Sequence, residues 1–332
     1  MVKNPRTQMG KAALRLGMIA AYRRALSGMP APYAPYDLWH QFRVLGTLGN
    51  HSNFHAFKHT FTRMGGFQGK QALGIQNEEL LSSFLESRCF RAKKTDWGLT
   101  LGVDYEQVSL EMTAAQKDAY KRMERDLVLW LGETNGAVVA ENVLAKHMKL
   151  QQIASGFVYN ETGATVEIMA FEKTPKFVEL KDRLDNYIPG KVIVIAHYRA
   201  TLRNLYRALR GHKPAYIVGG MKSADVEREK ARFNDDDSCR IMLGQGQAIK
   251  YGHTLVGSAA TPCYSICFFE NDYNLDTRTQ CEARPQGVHQ QMPVHIWDYH
   301  SCAVEKKVTR ALQKRQKVSD VIMGAYRAGV TS

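Results

Sequence analysis

The residue patterns that would bind and activate a nucleoside triphosphate are missing from this sequence of 332 residues. A phosphate loop needs G-x-x-x-x-G-K-[ST] between a strand and a helix, because its backbone N–H groups cradle the phosphates and its hydroxyl holds magnesium. The nearest approach runs from Gly65 to Lys70, where the first glycine stands one residue too close and Gln71 takes the place of the hydroxyl residue. No Asp-Glu-x-His or similar acidic box follows a strand. Cys89, Cys239, Cys263, Cys267, Cys281 and Cys302 are scattered without a repeated C-x-x-C, so they read as reduced and mostly buried, and no metal site is expected. Cys263 and Cys267 flank a strand and read as core. His197 and Tyr198 close an apolar run, the position of ligand-facing residues, although a hydrogen-bonded structural histidine suits the same place. Trp39, Trp97, Trp130 and Trp297 read as packing residues.

The elements that must hold these residues change texture near Thr174-Pro175. After it, strands and helices alternate. Lys191–Ala196 is a short apolar β-branched run, followed by a helix with Leu202, Leu205, Tyr206 and Leu209 on one face and Gly211 at its end. Ala215–Val218 reads as a second strand, Ser223–Phe233 as a helix and Cys239–Leu243 as a third strand. Tyr264–Phe269 is a buried strand, Leu275–Ala283 a short helix, Pro293–Asp298 a last strand and Val304–Met323 a long basic helix. This rhythm predicts a parallel sheet covered on both faces, with ligands outside the carboxyl ends of its strands. The first 170 or so residues are mainly helical, with helices expected over Ala12–Leu26, Asn77–Glu86 and Thr113–Leu131. Thr113 and Gln116 form a capping-box pattern at the start of the last.

Composition places the chain among globular proteins, with 44% hydrophobic and 23% charged residues. No apolar stretch is long enough for a membrane helix, and the N-terminus lacks a signal-peptide pattern, so a cytoplasmic protein is expected. Lys and Arg number 45 against 32 Asp and Glu, a formal charge of +13 that favours polyanions. No acid precedes Asp37, while Lys3, Arg6, Lys11, Arg15, Arg23 and Arg24 are all basic. The C-terminal helix carries Lys306, Lys307, Arg310, Lys314, Arg315 and Lys317. Each cluster reads equally as a solvated face.

The second half carries an ordered series: Lys191–Ala196, Tyr216-Ile-Val-Gly219-Gly220 with Arg228 and Phe233, Gly252-His-Thr254-Leu255, and Asn271-Asp-Tyr-Asn-Leu-Asp276 leading into Gln280-Cys-Glu-Ala-Arg284. In order and spacing it resembles the second RecA-like lobe of Swi/Snf-type helicase-like ATPases of superfamily two, especially compact phage versions. The family's last motif reads approximately Q-x-x-x-R-x-x-R-x-G-Q-x-x-P-V, and Gln280, Arg284, Gln290, Pro293 and Val294 fall in its register. The first half also resembles the family. Val2-Lys-Asn4-Pro5 looks like the segment after the magnesium box, Ala25-Leu-Ser27-Gly28-Met29-Pro30 like motif III, and Leu38-Trp39, Phe90–Lys94 and Met112–Tyr120 like the helical insertion.

The resemblance implies a RecA-like α/β helicase C-terminal lobe at 175–332, a helical insertion region at 37–174 and a remnant of the first lobe at 1–36. It implies the C-terminal part of an ATP-dependent DNA helicase or translocase, truncated so that it begins after, and lacks, the Walker A and Walker B motifs. ATP and magnesium are then held mostly by the missing first lobe, none is expected for this chain alone, and the chain alone is expected to lack ATPase activity. Arg284 is the implied catalytic residue, reaching the triphosphate with a permanently charged fork. A surface pair with Glu282 or Asp276 is its simpler use. Gln280, Gly252 and Thr254 are the implied cleft residues, although Thr254 also suits a turn cap. Lys191, His197, Arg228, Lys250, Lys93 and Lys94 are the candidates for DNA. Departures weigh against catalysis: Gly287 stands where the second arginine belongs, His289 replaces a glycine, Pro285 constrains Arg284, and Met29 replaces a threonine. Expected partners are duplex DNA and a separately encoded N-terminal ATPase lobe, with no membrane, in the cytoplasm of a bacterial or phage-infected cell. The alternative is a catalytically dead DNA-binding or regulatory module that keeps the lobe as a scaffold.

Overall fold

A computed structural model of the protein describes residues 3–65, 69, 71–90, 102–133, 139–250, 252, 254–286 and 290–324. The chain divides into two compact units, Met1–Leu99 with Ala311–Ser332, and Thr100–Arg310.

The first unit contains α1 (Gln8–Ile19), α2 (Asp37–Leu45), α3 (Phe54–Phe61), the antiparallel pair β1 (Thr62–Gly65) and β2 (Gln71–Ile75), and α4 (Glu78–Glu86). Its core is an aromatic cluster in which Phe42 meets Phe84 edge-on at 4.9 Å and Phe57 meets Phe61 at 4.8 Å, beside Leu38, Trp39 and Leu81. Helix α1 starts earlier and ends seven residues sooner than its apolar pattern suggests. The Thr7 hydroxyl accepts the Gly10 N–H at 3.0 Å and fixes the start, while the extended backbone of Ala20 ends the helix.

The second unit contains β3 (Val103–Ser109), α5 (Ala114–Glu133), α6 (Val139–Ala154), the hairpin β4 (Phe157–Tyr159) and β5 (Thr165–Glu167), α7 (Pro175–Asn186), β6 (Lys191–Ala196), α8 (Arg199–Ala208), β7 (Ala215–Ile217), α9 (Ser223–Asp235), β8 (Ile241–Gln245), α10 (Gly246–Ile249), β9 (Cys263–Phe268), α11 (Leu275–Glu282) and β10 (Val294–His300). Helix α12 (Ala303–Gly324) follows β10 and runs on into the other unit. The capping box at α5 forms, with the Thr113 N–H donating to Gln116 Oε1 at 3.1 Å and the Gln116 N–H to the Thr113 hydroxyl at 3.3 Å.

The sheet is parallel throughout, in the order β3-β10-β9-β6-β8-β7. Strand β6 lies inside it and is buried along its whole length. Its alternation divides the core: Val192 and Val194 pack with leucines of α7 and α8 on one face, and Ile193 and Ile195 pack with Phe233, Ile249 and Cys281 on the other. Edge strand β3, which pairs with β10 from Val103 opposite Val294 to Ser109 opposite His300, comes from the stretch ahead of Thr174. The chain leaves β6 for the β7 edge, returns to β8, and then crosses to β9 on the other side of β6. That reversal opens a crevice above the carboxyl ends of β6, β8 and β9.

A candidate ligand cleft at the carboxyl edge of the sheet

The crevice is lined by Ala196 and His197 after β6, Gly246 and Gln247 after β8, Glu270, Asn271 and Asp272 after β9, and Thr277 and Arg278 on α11. Glycine at 246 keeps its floor open, since a Cβ there would lie 3.0 Å from the Thr277 methyl.

Glu270 organises one wall. Its Oε1 accepts the hydroxyls of Ser155 at 2.5 Å and Thr201 at 2.6 Å, and its Oε2 accepts the backbone N–H groups of His197 at 3.0 Å and Tyr198 at 2.9 Å. Four donors satisfy a carboxylate that is almost wholly buried. Arg278 organises the other wall. Its guanidinium donates to Asp298 Oδ2 at 3.0 Å, to Asn271 Oδ1 at 3.0 Å and to Glu282, and stacks 3.7 Å above the centre of the Phe268 ring. These carboxylates hold the Arg278 pKa above its usual value despite burial. On the rim, the Gln247 amide donates to Asp272 Oδ2 at 3.0 Å and the Thr277 hydroxyl at 2.7 Å. Among the described residues no cluster of His, Cys, Asp or Glu could hold a metal ion. The cleft offers hydrogen bonding and charge.

Of the residues singled out in the sequence, His197 lines this cleft, with its ring edge-on to Tyr198 at 4.7 Å. Gln280 and Arg284 sit together at the carboxyl end of α11. The Arg284 side chain turns back to donate from Nε to the Gln280 carbonyl at 2.7 Å and from Nη2 to Gln280 Oε1 at 3.3 Å, and burial draws its pKa down. The Leu255 N–H donates to the Arg284 carbonyl at 3.2 Å, so the Gly252–Leu255 motif runs alongside this arginine. Gly252 takes a left-handed φ of 71°, which glycine adopts without strain. Thr254 is exposed and gives its carbonyl to the Asn234 amide at 2.9 Å.

The DNA candidates scatter. Lys191 is fully buried at the amino end of β6, where its ammonium donates to the carbonyls of Phe233 and, at 2.8 Å, Asp236, so it presents nothing to a phosphate. Lys250 is buried with its ammonium 3.6 Å from the Asp276 carboxylate, which makes it a tie between α10 and α11. Arg228 is exposed on α9 and pairs with Asp225 at 2.8 Å. Lys93, Lys94, Trp97, Gly287 and His289 lie outside the described residues. Tyr206, expected on the apolar face of α8, is 46% exposed, while Leu202, Leu205 and Leu209 are buried. Glu270 and Arg278 were not singled out by sequence. Glu270's signal was its place immediately after the apolar run that ends β9.

The architecture has solved counterparts. The C-terminal part of the Fun30 ATPase domain superposes with a TM-score of 0.52 at 14% identity, over 68% of this chain and 97% of that one. The Sulfolobus solfataricus SWI2/SNF2 ATPase core in complex with dsDNA superposes with a TM-score of 0.51 at 20% identity, over 97% of this chain and 67% of that one. The chain has the Swi2/Snf2 ATPase fold. Its parallel sheet is thus the RecA-like C-terminal lobe of that fold, as the motif series implies. No family model matches the sequence. A phage relative, putative protein p41 of Acyrthosiphon pisum secondary endosymbiont phage 1, is 26% identical over 317 residues, which cover 91% of this chain and 64% of p41. The chain therefore spans somewhat less than two thirds of that relative.

Proposed function

We propose that the chain is the C-terminal part of a Swi2/Snf2-type, ATP-dependent DNA translocase or helicase and supplies the second lobe of its ATP cleft, acting on duplex DNA in the cytoplasm of a bacterial or phage-infected cell. The observation that carries this reading is the hydrogen bond between the Leu255 N–H and the Arg284 carbonyl, which joins two family motifs on a lobe of the matching fold. No helix among the described residues is long and apolar enough to cross a membrane.

The sequence patterns and the described residues supply no complete site for ATP and magnesium. The sequence has no phosphate loop, and the described residues hold no acidic metal cluster. Nucleotide binding therefore requires a phosphate-binding lobe, in the same polypeptide or a second one, and this lobe would add the permanently charged Arg284. Rotation of Arg284 away from Gln280 would present its fork to a phosphate.

ATP turnover tests the reading. The purified chain alone should hydrolyse ATP at background, with or without duplex DNA. Mixed with a first lobe carrying a phosphate loop, it should show DNA-stimulated hydrolysis that Arg284→Ala lowers by about a thousandfold. DNA-stimulated turnover by the chain alone, or a mixture indifferent to Arg284→Ala, would overturn it.

The hold of Gln280 on the Arg284 fork supports a second reading, a catalytically silent DNA-binding module. Its duplex affinity would not change when ATP and a first lobe are added, whereas that of a complemented machine would.

A further inference from the structure

Helix α8 carries a row of cations that the readings above leave unused. Arg199, Arg203 and Arg207 succeed one another at intervals of four residues, which stacks them on one face of α8 at roughly 6 Å steps, and Arg210 follows three residues later in the 3-10 turn Arg210–His212 that succeeds the helix. All four are exposed, and the segment 199–213 adds His212 and Lys213 without a single acid. Like charges at this spacing repel one another and destabilise a helix. The row is only lightly compensated within the protein. Arg199 donates to the Gly219 carbonyl, Arg203 lies 3.4 Å from the Thr165 hydroxyl, and Arg207 lies 3.8 Å from the Glu167 carboxylate. Among the described residues Glu167 is the one carboxylate that pairs with the four arginines, and His212 beyond them lies 4.0 Å from the Asp185 carboxylate.

Two neighbouring features extend it. The half-exposed Tyr206 shares the arginine face and meets Tyr216 at 5.4 Å, which places aromatic surface among the cations. Beyond the last turn of α8 the row enters an open cleft lined by Tyr206, Arg210, Lys213, Arg232 and Asp236. Arg232 is anchored there by Glu229 at 3.3 Å and by the Lys213 carbonyl at 3.0 Å. Since α8 starts beside His197 and Lys213 precedes β7, the row runs from the carboxyl edge of the sheet to its amino edge.

We propose that this face of α8 is a rail for the phosphodiester backbone of nucleic acid, separate from the carboxyl-edge cleft and leading away from it. A regular row of planar, permanently charged forks suits a polyanion whose charges repeat along a line, and such contacts position a duplex without reading its sequence. The rail deepens the proposed function and rests on its duplex-DNA ligand.

Fluorescence anisotropy with a labelled duplex at several salt concentrations tests it. The triple reversal R203E/R207E/R210E should weaken binding by about tenfold or more and make the slope of log affinity against log salt shallower by roughly 2 to 3. The neutral R203Q/R207Q/R210Q variant should lose less affinity with the same change of slope, and R203K/R207K/R210K should keep the slope. Melting curves that match the wild type confirm folding, and the neutral variant decides the matter if the reversal does not fold. Unchanged affinity and slope in the variants, with a wild type that binds, would overturn the rail alone. A wild type that binds no duplex would overturn the functional reading together with it. Equal binding of polyglutamate, with the same dependence on the three arginines, would assign the row to an acidic protein segment and overturn the nucleic-acid rail.

Discussion

The Glu270 carboxylate accepts the Thr201 hydroxyl at 2.6 Å, so a side chain at the end of β9 fixes the first turn of α8. The same carboxylate takes the N–H groups of His197 and Tyr198, the two residues that lead from β6 into α8. Glu270→Gln turns an acceptor of four hydrogen bonds into a group with its own N–H donors facing other donors, and should cost about 2 to 3 kcal/mol. Thr201→Ala should cost about 1 to 2 kcal/mol. Urea melts of the two single variants and the double variant should reveal a coupling above about 0.5 kcal/mol. Strict additivity would show that the two residues stabilise the lobe independently.

Arg278 and Asp298 form the other buried tie. Their ion pair is supplemented by Asn271 and Glu282, so the desolvation of the charges is met by several hydrogen bonds. Removing only the cation strands Asp298 in the core, and Arg278→Ala should cost about 3 to 5 kcal/mol. Adding Asp298→Asn to that variant should recover part of the loss. A double variant less stable than Arg278→Ala would mean that Asp298 serves another partner.

How far the sequence discloses this architecture depends on the kind of signal each element carries. Strand β6 was legible to the residue because a fully buried parallel strand is a run of apolar β-branched side chains. Strand β3, Val-Asp-Tyr-Glu-Gln-Val-Ser, was invisible: it lies at the sheet edge with most of its side chains in solvent, and its partner β10 is nearly two hundred residues away. Motif order gave the neighbourhood of Arg284 and Leu255. It could not give the burial of Lys191, because a lysine beside a strand reads as a surface cation until the carbonyls that receive its ammonium are known. The row on α8 was present in the spacing, but its leucines drew attention to the opposite face.

The two units should respond oppositely to acid. Burial raises the Asp37 carboxyl to about 6, against the N–H groups of Tyr33 and Ala34 and the charge of Lys3, which lower it. Its folded pKa exceeds its unfolded one, so its contribution to stability is fullest below about 4 and is lost as pH rises through about 6, to the extent of roughly 3 kcal/mol. In the other unit burial lowers the pKa of His147 and of His300, whose Nε2 lies 2.8 Å from the Thr309 hydroxyl. Their contribution is present above about 6.5 and is lost as pH falls. Urea melts at pH 4.5 and 7.5 should show Asp37→Asn stabilising the protein at the higher pH only, and His300→Gln reducing the loss at the lower one. An equal effect of Asp37→Asn at both values would contradict the burial argument.

Helix α1 packs with its glycines inward and an apolar stripe outward, and this inversion makes the last prediction. A Cβ on Gly17 would lie 2.7 Å from the Val44 carbonyl oxygen on α2, and one on Gly10 would lie 2.2 Å from the Asn4 carbonyl oxygen. Leu16 and Ile19, on the opposite side, are 63% and 83% exposed. Helix propensity alone favours alanine over glycine by about 1 kcal/mol. Here the close approach of backbone to backbone should dominate, and Gly17→Ala should destabilise the first unit by roughly 1 to 3 kcal/mol. Leu16→Ser together with Ile19→Ser should leave stability within about 1 kcal/mol, as exposed positions do. Hydrogen exchange should agree, with fast exchange from residue 21 to residue 28, where the chain is exposed and without helix or strand, and slow exchange in β6, β8 and β9. Protection should resume near the buried Met29, Ala31 and Ala34. Under the proposed function, an added first lobe should protect the Leu16–Ile19 face, and the serine pair should abolish that protection while leaving the isolated chain unchanged. A stable Gly17→Ala variant combined with a destabilised serine pair would mean that α1 packs in solution by its apolar face.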